Sequence, residues 1–311
     1  MRMGTLVVRS SIVAMLFSMG CWTASSASPS TLAVPNAITP FVAPALAGEG
    51  VWHPAGRRVN DVPAIYTTLV RPPGNPSTEA GVAWINTSLV SARLYSGSLS
   101  PGGYSWKYTA PISPSAATTL IAAFNGGFQM KDAHGGYMSE GRIVSPLVPR
   151  AASLVIYRDG SATVGAWDRD VHMTPDVVAV RQNLTLLVRN GAVVPGLNPH
   201  DVSQWGVSLN GVIDTPRSAL GVTSGGALIY VEGEMNIVDL AKILVRAGAL
   251  RAMVLDMNPY WTVFSTYTPA TPTGAATPAN GVDLTPSMYQ TPERFFETRY
   301  NRDFITLSVR P

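Results

Sequence analysis

The sequence has little cysteine: the chain of 311 residues contains one, Cys21, near its N-terminus. Residues 1–27 are typical of a secretory signal peptide, because two arginines precede a short apolar run and small residues follow it. Cleavage after Ala27 leaves a mature chain without cysteine, which excludes disulfides and thiol chemistry. We therefore expect a secreted or extracytoplasmic protein. The alternative is lipid attachment at Cys21, although the leucine that is usual three positions upstream is missing.

Charged residues are also scarce, at 13% of the chain, and the formal net charge is only +3. No cluster of lysine and arginine is interleaved with aromatic residues, so we expect no nucleic-acid partner. After the signal peptide, no apolar run is long enough to cross a bilayer without charges or turn residues, so we expect no membrane span. The composition gives no indication of the oligomeric state.

The sequence lacks the motifs of several common catalytic sites. It has no phosphate-binding P-loop, no dinucleotide fingerprint and no nucleophile elbow. Its four histidines lie far apart, without the spacing of a zinc site: His53, His134, His172 and His200. We therefore predict no cofactor and assign no metal ligands, and metal dependence stays open.

Glycine and proline, by contrast, are abundant, with 28 and 25 residues, which favours many turns and short strands. Four short turn sequences stand between apolar runs and predict β-hairpins, because glycine supplies the positive φ of a tight turn. They are Asp159-Gly160, Asn190-Gly191, Asn210-Gly211 and Gly225-Gly226. The apolar run 116–124 fits either a short helix or a buried strand.

One long helix is predicted, over Ile237–Ala247. Asn236 is a capping residue before it, apolar residues recur at helical spacing, and Gly248 follows its end. An apolar strand precedes the helix and another, 252–255, follows it, an order that usually forms a right-handed parallel crossover. We therefore predict an α+β fold, a β-rich mixed sheet with several hairpins and one central strand–helix–strand unit.

We predict a single domain over residues 51–311. Residues 28–50 are rich in Ala, Pro, Thr and Ser without an amphipathic period, and we interpret them as a linker. Residues 268–280 are a proline-rich, low-complexity stretch and are predicted to be a mobile surface loop. The last predicted strand, 304–309, should pair back into the main sheet, which keeps the chain in one domain.

Asp256 follows the strand 252–255 directly, at the kind of strand end where ligands gather in crossover units. Asn258 and Trp261 come close behind it, although a simple turn needs no large aromatic residue. These residues suggest a ligand site. The alternative is that Asp256 and Asn258 form a turn before Pro259 and that Trp261 packs in the core, and the local pattern favours neither.

The Asn-Gly-Gly-Phe sequence at 125–128 is a second candidate site. Gly126 and Gly127 allow the backbone to approach a ligand closely, and successive N–H groups can bind an anion. Asn125 adds a side-chain donor and acceptor. Arg217, just before an apolar strand, carries a guanidinium group that suits a phosphate. The alternatives are an ordinary glycine turn and a surface salt bridge.

The order of these features resembles the phosphodiester glycosidase domain family. An NGGF sequence, an RSALG sequence at 217–221, a glycine hairpin, a capped helix and a strand ending in Leu255-Asp256 follow one another as in that family. The resemblance covers roughly residues 116–264. It implies a hydrolase with a carbohydrate or sugar-phosphate ligand. Family members usually continue the aspartate into a glycine-rich run, where this chain has Asp-Met-Asn-Pro-Tyr-Trp at 256–261.

Two functions are compatible with this pattern. The first is a secreted hydrolase of glycosidic or sugar-1-phosphodiester bonds, whose oxocarbenium-like transition state usually needs carboxyl groups. Asp256 is the first catalytic carboxylate by this hypothesis, Glu234 is the second and Glu232 is a weaker third. The second function is a non-catalytic module of the bacterial cell envelope that has the same fold and binds a glycan or a partner.

We predict that Asn125, Arg217 and Asp256 converge on one pocket, because antiparallel neighbours bring the start of one strand beside the end of its partner. The charges of Arg217 and Asp256 compensate each other, which makes partial burial tolerable. The other residues that we assign to substrate binding are Gly126, Gly127, Asn258 and Trp261.

Overall fold

A computed structural model of the chain describes Met1 and residues 32–208, 211–286, 288–298 and 300–311. The described residues from 32 onward form one compact unit. The signal peptide predicted over residues 1–27 lies outside the described residues except for Met1, and so does Asn210 of one predicted hairpin turn. Among the residues that the structure describes, no helix is long and apolar enough to cross a bilayer.

The fold consists mainly of short strands. The strands are β1 (His53–Val59), β2 (Val62–Val70), β3 (Ala80–Ile85), β4 (Val90–Tyr95), β5 (Leu120–Asn125), β6 (Tyr137–Ser139), β7 (Arg142–Ser145), β8 (Ala152–Tyr157), β9 (Ala162–Ala166), β10 (Val177–Gln182), β11 (Leu186–Arg189), β12 (Ala192–Val193), β13 (Thr215–Thr223), β14 (Leu228–Met235), β15 (Ala249–Val254), β16 (Phe264–Tyr267), β17 (Gly281–Asp283) and β18 (Phe304–Val309). The helices are α1 (Pro114–Ala117), α2 (Val202–Trp205) and α3 (Ile237–Arg246), and short 3-10 turns occur at Pro278–Asn280 and Pro292–Phe296.

The strands form three sheets. The largest has the order β1-β2-β3-β14-β13-β15-β11-β12, and the two smaller ones have the orders β7-β6-β10-β8-β9 and β17-β16-β5-β18-β4. The β-rich character predicted from the sequence is confirmed, and the few helices are consistent with the α+β class. The predicted mixed sheet is not found, since each strand pair described in these sheets is antiparallel. Hairpin connections account for the pairs of consecutive strands, because a hairpin reverses the chain, whereas pairs such as β3 with β14 join strands that are distant in sequence.

The predicted strand–helix–strand unit corresponds to β14, α3 and β15 in chain order. In the sheet, however, β13 lies between the two strands and pairs antiparallel with each of them. The strands β14 and β15 are therefore not hydrogen-bonded to each other. The right-handed crossover and its ligand-binding end stay predictions.

Local sequence signals account for the three predicted hairpin turns that lie wholly within the described residues. The turn at Asp159-Gly160 joins β8 to β9, the turn at Asn190-Gly191 joins β11 to β12, and Gly225-Gly226 lies between β13 and β14. Gly160 and Gly191 have φ values of 81° and 73°, which a side chain would disfavour. The run 116–124 contains both predicted possibilities, since α1 ends at Ala117 and β5 begins at Leu120.

The helix α3 begins and ends close to its predicted bounds. The Asn236 side chain accepts hydrogen bonds from the backbone N–H groups of Val238 and Asp239, both at 3.0 Å, and so caps the first turn. Gly248 follows the helix with a φ of 95°. Side-chain capping and the positive-φ glycine therefore fix the ends of α3, and both are encoded locally.

The eight-stranded sheet has a different core on each face. Leu220 of β13 packs in the cluster that contains Phe124 of β5, whereas Ala219 packs in the cluster that contains the apolar face of α3. Successive side chains of a strand point to opposite faces of a sheet. Ser218 therefore lies on the β5 face, and Arg217 lies on the α3 face.

The segment that we interpreted as a linker packs against the fold from residue 32 onward. The backbone N–H of Ile38 donates to the Gly50 carbonyl at 2.8 Å, and Ile38 is buried. Glu49 forms an ion pair with Arg71 of 3.0 Å. One apolar side chain and one ion pair thus hold a segment whose average composition is that of a linker.

The proline-rich loop 268–280, predicted to be mobile, is also packed. Arg57 of β1 donates hydrogen bonds to the carbonyls of Pro272 and Gly274, at 2.6 and 2.5 Å. Ala276 is buried in an aromatic cluster. Arg57 lies more than two hundred positions away from its partners in the loop, so the composition of the loop does not reveal these contacts.

Candidate active site

Ser218 of β13 connects two of the three residues that were predicted to converge. Asn125, the last residue of β5, donates from Nδ2 to the Ser218 hydroxyl at 2.9 Å, and the backbone N–H of Asp256 donates to the same oxygen at 3.2 Å. The N–H of Ser218 in turn donates to the Asp256 carbonyl at 2.8 Å. The structure therefore brings Asn125 and Asp256 together, with Ser218 between them as a residue that the sequence did not single out.

Arg217 does not join this group. Its side chain lies on the α3 face, where Nε donates to the Met235 carbonyl at 3.0 Å and Nη2 donates to the Ile213 carbonyl at 3.3 Å. Burial lowers the pKa of Arg217 to about 10, and the nearby Asp214 opposes this shift. The predicted convergence is thus wrong for Arg217, because β13 directs neighbouring side chains to opposite faces of the sheet.

Asp256 is held by backbone N–H groups and by an arginine from the C-terminal region. Its Oδ1 accepts from the N–H of Met257 at 2.8 Å and of Asn258 at 3.0 Å, and its Oδ2 accepts from Arg302 Nη2 at 2.5 Å. Burial raises the pKa of Asp256 to about 6, while Arg302 and the two N–H groups act in the opposite direction. The carboxyl group is therefore mostly ionised at neutral pH.

Arg302 is the main residue of this region that the sequence analysis missed. Its Nη2 also donates to the Gly127 carbonyl at 2.7 Å, and its guanidinium carbon lies 5.0 Å from the centre of the Trp261 ring. Among the described residues, its buried Nε has no hydrogen-bond partner. The available signal was the Arg302-Asp303 pair directly before the last strand, in a chain with few charges.

Gly126 and Gly127 make room for a buried ion pair rather than for a ligand. A Cβ atom at Gly126 would lie 2.0 Å from Asp303 Oδ2, and one at Gly127 would lie 3.0 Å from the Arg181 guanidinium. Arg181 Nε donates to Asp303 Oδ2 at 2.8 Å, and both side chains are fully buried. The Gly126 N–H donates to the Asp303 carbonyl at 2.9 Å. Both glycines therefore pack against Asp303 and Arg181, and their role in anion binding stays a prediction.

Asn258 and Trp261 occupy the turn after Asp256. Asn258 Oδ1 accepts from the Tyr260 N–H at 2.9 Å, and its carbonyl accepts from the Trp261 N–H at 2.9 Å, so Asn258 shapes the turn. Trp261 is half-buried and meets Tyr300 edge-on at 5.9 Å between ring centres. Tyr260, by contrast, is 57% exposed. The Trp261 ring lies against the Arg302 side chain that holds Asp256.

Glu234, the second carboxylate proposed from the sequence, lies in a different environment from Glu232 on the same strand, β14. Glu234 is exposed, and no hydrogen bond joins its carboxyl group to Asn125, Ser218 or Asp256 among the described contacts. Glu232 is fully buried on the β5 face, and burial raises the pKa of its carboxyl to about 8. Glu232, which the sequence ranked third, is thus the carboxyl that reaches the site.

Tyr230 links Glu232 to Asn125. The Tyr230 hydroxyl lies 2.7 Å from Asn125 Oδ1 and 3.0 Å from Glu232 Oε2. The Thr285 hydroxyl donates to Glu232 Oε1 at 2.5 Å. A continuous chain of side chains therefore runs from Glu232 through Tyr230 and Asn125 to Ser218, where it meets the backbone of Asp256.

The site is closed in this structure. Asn125, Asp256 and Arg302 are 2%, 3% and 6% exposed. Two surface cavities, of about 400 and 890 Å³, lie elsewhere, and none of the predicted site residues lines either of them. Within the described ranges, no group of three or more His, Cys, Asp or Glu side chains is placed to hold a metal ion.

Comparison with known proteins supports the resemblance found in the sequence. Residues 118–256 match a family model described as phosphodiester glycosidase, which confirms the resemblance for this region. The matched region includes Asn125 and ends at Asp256. A search of curated proteins found no match.

Solved structures resemble the fold. The catalytic domain of zebrafish N-acetylglucosamine-1-phosphodiester alpha-N-acetylglucosaminidase, auto-inhibited by its pro-peptide, matches with a TM-score of 0.51 and 17% identity, over 83% of this chain and 87% of that one. A hypothetical protein from Synechocystis matches with a TM-score of 0.42 and 14% identity, over 83% of this chain and 64% of that one. A putative exported protein from Burkholderia pseudomallei has a TM-score of 0.40 and 14% identity, over 74% of both chains. At these identities the likeness concerns the fold alone.

Proposed function

We propose that the protein is a secreted or extracytoplasmic hydrolase that cleaves glycosidic or sugar-1-phosphodiester bonds. The observation that carries the proposal is the meeting of Asn125 and Asp256 on the Ser218 hydroxyl, because both lie in the region that matches the phosphodiester glycosidase family. The N-terminal sequence supports the proposed location, and N-terminal sequencing of secreted protein, expected to begin at Ser28, tests it.

Asp256 supplies the negative charge in this proposal. Cleavage at an anomeric carbon passes through an oxocarbenium-like state, which a nearby carboxylate stabilises. The ionised Asp256 is buried with one cation, Arg302, and its charge is little screened by water. Glu234, exposed on β14, has no part in this proposal.

Arg302 takes the role that the sequence analysis gave to Arg217. A guanidinium group binds a phosphate through several N–H donors at once. Arg302 has a buried Nε donor without a partner among the described residues, and its Nη2 donates to Asp256 Oδ2. A phosphate oxygen would satisfy this donor. The Asn125 amide has protein partners for both of its donors and both of its acceptor positions. A sugar or phosphate oxygen that Asn125 positions must therefore replace one of these partners.

Substrate entry requires movement of the side chains that cover the site. Met257 and Phe128 are nearly buried, and a Cβ atom at Gly206 would lie 2.9 Å from the Phe128 ring and 3.5 Å from the Met257 methyl group. The segment that follows α2 therefore lies on these two side chains. Trp261 is half-buried, and its ring lies against the Arg302 guanidinium group.

The test is release of free sugar from a panel of sugar-1-phosphodiesters. Asp256→Asn should lower kcat by about 100-fold or more, the usual effect of losing a catalytic carboxyl group. The matched control is Asp176→Asn, because the Asp176 side chain is 75% exposed, and it should leave kcat unchanged. Circular dichroism of each variant verifies that the fold is retained.

The phosphate assignment has its own test. Arg302→Lys keeps the positive charge but loses the planar set of donors. It should raise KM for a sugar-1-phosphodiester much more than KM for a neutral aryl glycoside of the same sugar. Equal effects on both substrates would contradict phosphate binding by Arg302. Glycan binding without any turnover by the unmodified protein would contradict the hydrolase and favour the binding module.

A further inference from the structure

The orientation of the Asn125 amide is fixed by four hydrogen bonds. Nδ2 donates to the Gly126 carbonyl at 2.8 Å and to the Ser218 hydroxyl at 2.9 Å. Oδ1 accepts from the Tyr230 hydroxyl at 2.7 Å and from the Val263 N–H at 3.3 Å. An amide turned by half a rotation would face these groups with the wrong atoms. The donors around Oδ1 therefore decide which atom of Asn125 faces Ser218.

A count of protons assigns the state of Glu232. The Tyr230 hydroxyl has one hydrogen, and it is in hydrogen-bond distance of two oxygens, Asn125 Oδ1 and Glu232 Oε2. The amide oxygen of Asn125 can only accept, so the tyrosine hydrogen belongs to that shorter contact. The contact between Tyr230 and Glu232 then needs a hydrogen from the carboxyl group. Glu232 must be protonated for both bonds to exist together.

The surroundings of Glu232 favour the protonated form. The side chain is fully buried, the Thr285 hydroxyl donates to its other oxygen, and the titratable groups that interact with it are Tyr230 on β14 and Asp283 on β17. Its neighbours in register are Gly81 on β3 and Ser218 on β13, neither of which carries a charge. Burial, with Asp283 adding to it, raises the pKa of Glu232 to about 8.

We propose that Glu232 and Tyr230 are positioning residues for Asn125, and that ionisation of Glu232 disables the site. The protonated carboxyl donates to Tyr230, which leaves the tyrosine hydrogen for Asn125 Oδ1. A carboxylate at position 232 would instead draw that hydrogen to itself and leave Asn125 Oδ1 with the weaker Val263 contact. This inference rests on the proposed function, because it concerns the residue that positions the substrate.

The test compares pH profiles of kcat. The unmodified protein should lose activity as the pH rises above about 8. Glu232→Gln should keep activity within a few-fold at neutral pH and should lose the alkaline decline, because a glutamine amide donates to Tyr230 and accepts from Thr285 without ionising. Tyr230→Phe should lower kcat by on the order of 100-fold at every pH, the scale expected when a substrate-positioning group is misplaced. Tyr267→Phe, which removes a hydroxyl that donates to the Pro292 carbonyl instead, is the control and should leave kcat unchanged.

A second measurement separates this inference from the proposed function. Infrared spectra of protein with 13C-labelled glutamate should show a protonated carboxyl band at pH 7 that is absent from Glu232→Gln. Absence of that band overturns the inference whether or not the protein is an enzyme. An alkaline decline that persists in Glu232→Gln overturns the positioning role and leaves the hydrolase intact. A protonated Glu232 in a protein that hydrolyses no substrate would refute the proposed function and the positioning role with it.

Discussion

The buried Glu232 should make the stability of the protein depend on pH in a predictable direction. Burial raises the pKa of this carboxyl from 4.5 to about 8 in the folded state. The folded protein therefore holds a proton that the unfolded chain releases above about pH 4.5. The stability that this proton confers is fully present below pH 4.5 and is lost progressively as the pH rises to about 8.

The magnitude follows from the size of the shift. One pH unit of difference corresponds to about 1.4 kcal/mol, so the contribution of Glu232 to the free energy of unfolding should fall by about 5 kcal/mol over the whole window. A change of this size is a large fraction of the stability of an ordinary domain.

The assay is urea denaturation of the unmodified protein and of Glu232→Gln at intervals from pH 5 to pH 8. The glutamine does not titrate, so the difference between the two free energies of unfolding isolates Glu232 from Asp256 and Asp283, which titrate in both proteins. The unmodified protein should lose about 1.4 kcal/mol per pH unit relative to the variant. Glu234→Gln, at an exposed position on the same strand, is the control. The difference in the free energy of unfolding between the unmodified protein and Glu234→Gln should not change with pH over this range. Parallel curves for the unmodified protein and Glu232→Gln would refute the reasoning.

Two further predictions concern packing. Gly126→Ala should destabilise the protein by about 3 kcal/mol or more, because a Cβ atom there would lie 2.0 Å from Asp303 Oδ2 and would disrupt a buried ion pair. The control is Gly225→Ala, where a Cβ atom would have only a 3.8 Å contact. Equal urea midpoints for the two variants would contradict this account. Arg57→Ala should make the loop 268–280 the first site of limited proteolysis, because Arg57 holds two of its carbonyls; an unchanged cleavage pattern would show that other contacts fix the loop.

The parts of the fold that the sequence predicted are those with local causes. The helix α3 is fixed by Asn236 at its start and by Gly248 at its end, and the hairpin turns at Asp159-Gly160 and Asn190-Gly191 need only the positive φ of their own residues. Each of these signals lies within a few positions of the element that it defines. The linker and the mobile loop stay predictions, but both segments make contacts that average composition does not reveal, because single long-range partners such as Arg71 and Arg57 hold them.

The candidate site was predicted less well, since it depends on which face of a strand each residue occupies. Arg217 and Ser218 are adjacent in β13, and a shift of one residue exchanges the two faces. Nothing in the local sequence decides which of them faces β5. The apolar alternation of Ala219 and Leu220 becomes informative only when the elements on each side of the sheet are known.

The groups that approach Gly126 and Gly127 could not be predicted for a related reason. Close approach to the backbone at Gly126 and Gly127 was correctly expected, but the approaching groups are Asp303 and Arg181 of the same chain. These two are 122 positions apart in sequence and meet only after β18 pairs with β5. A glycine that permits close contact does not specify whether the contact is a ligand or a distant segment of the chain.

The divergent sequence after Asp256 now has a structural explanation. Asp256 Oδ1 accepts from the two N–H groups that follow it, so those amides are turned toward the aspartate and are not free to surround a phosphate. The Arg302 guanidinium lies on the other carboxylate oxygen, against the Trp261 ring. A chain that gave up a glycine-rich run of amides here would need another set of donors for an anionic substrate. Under the proposed function, Arg302 Nε, which has no hydrogen-bond partner among the described residues, is such a donor, and the Trp261 ring packs against the same guanidinium group.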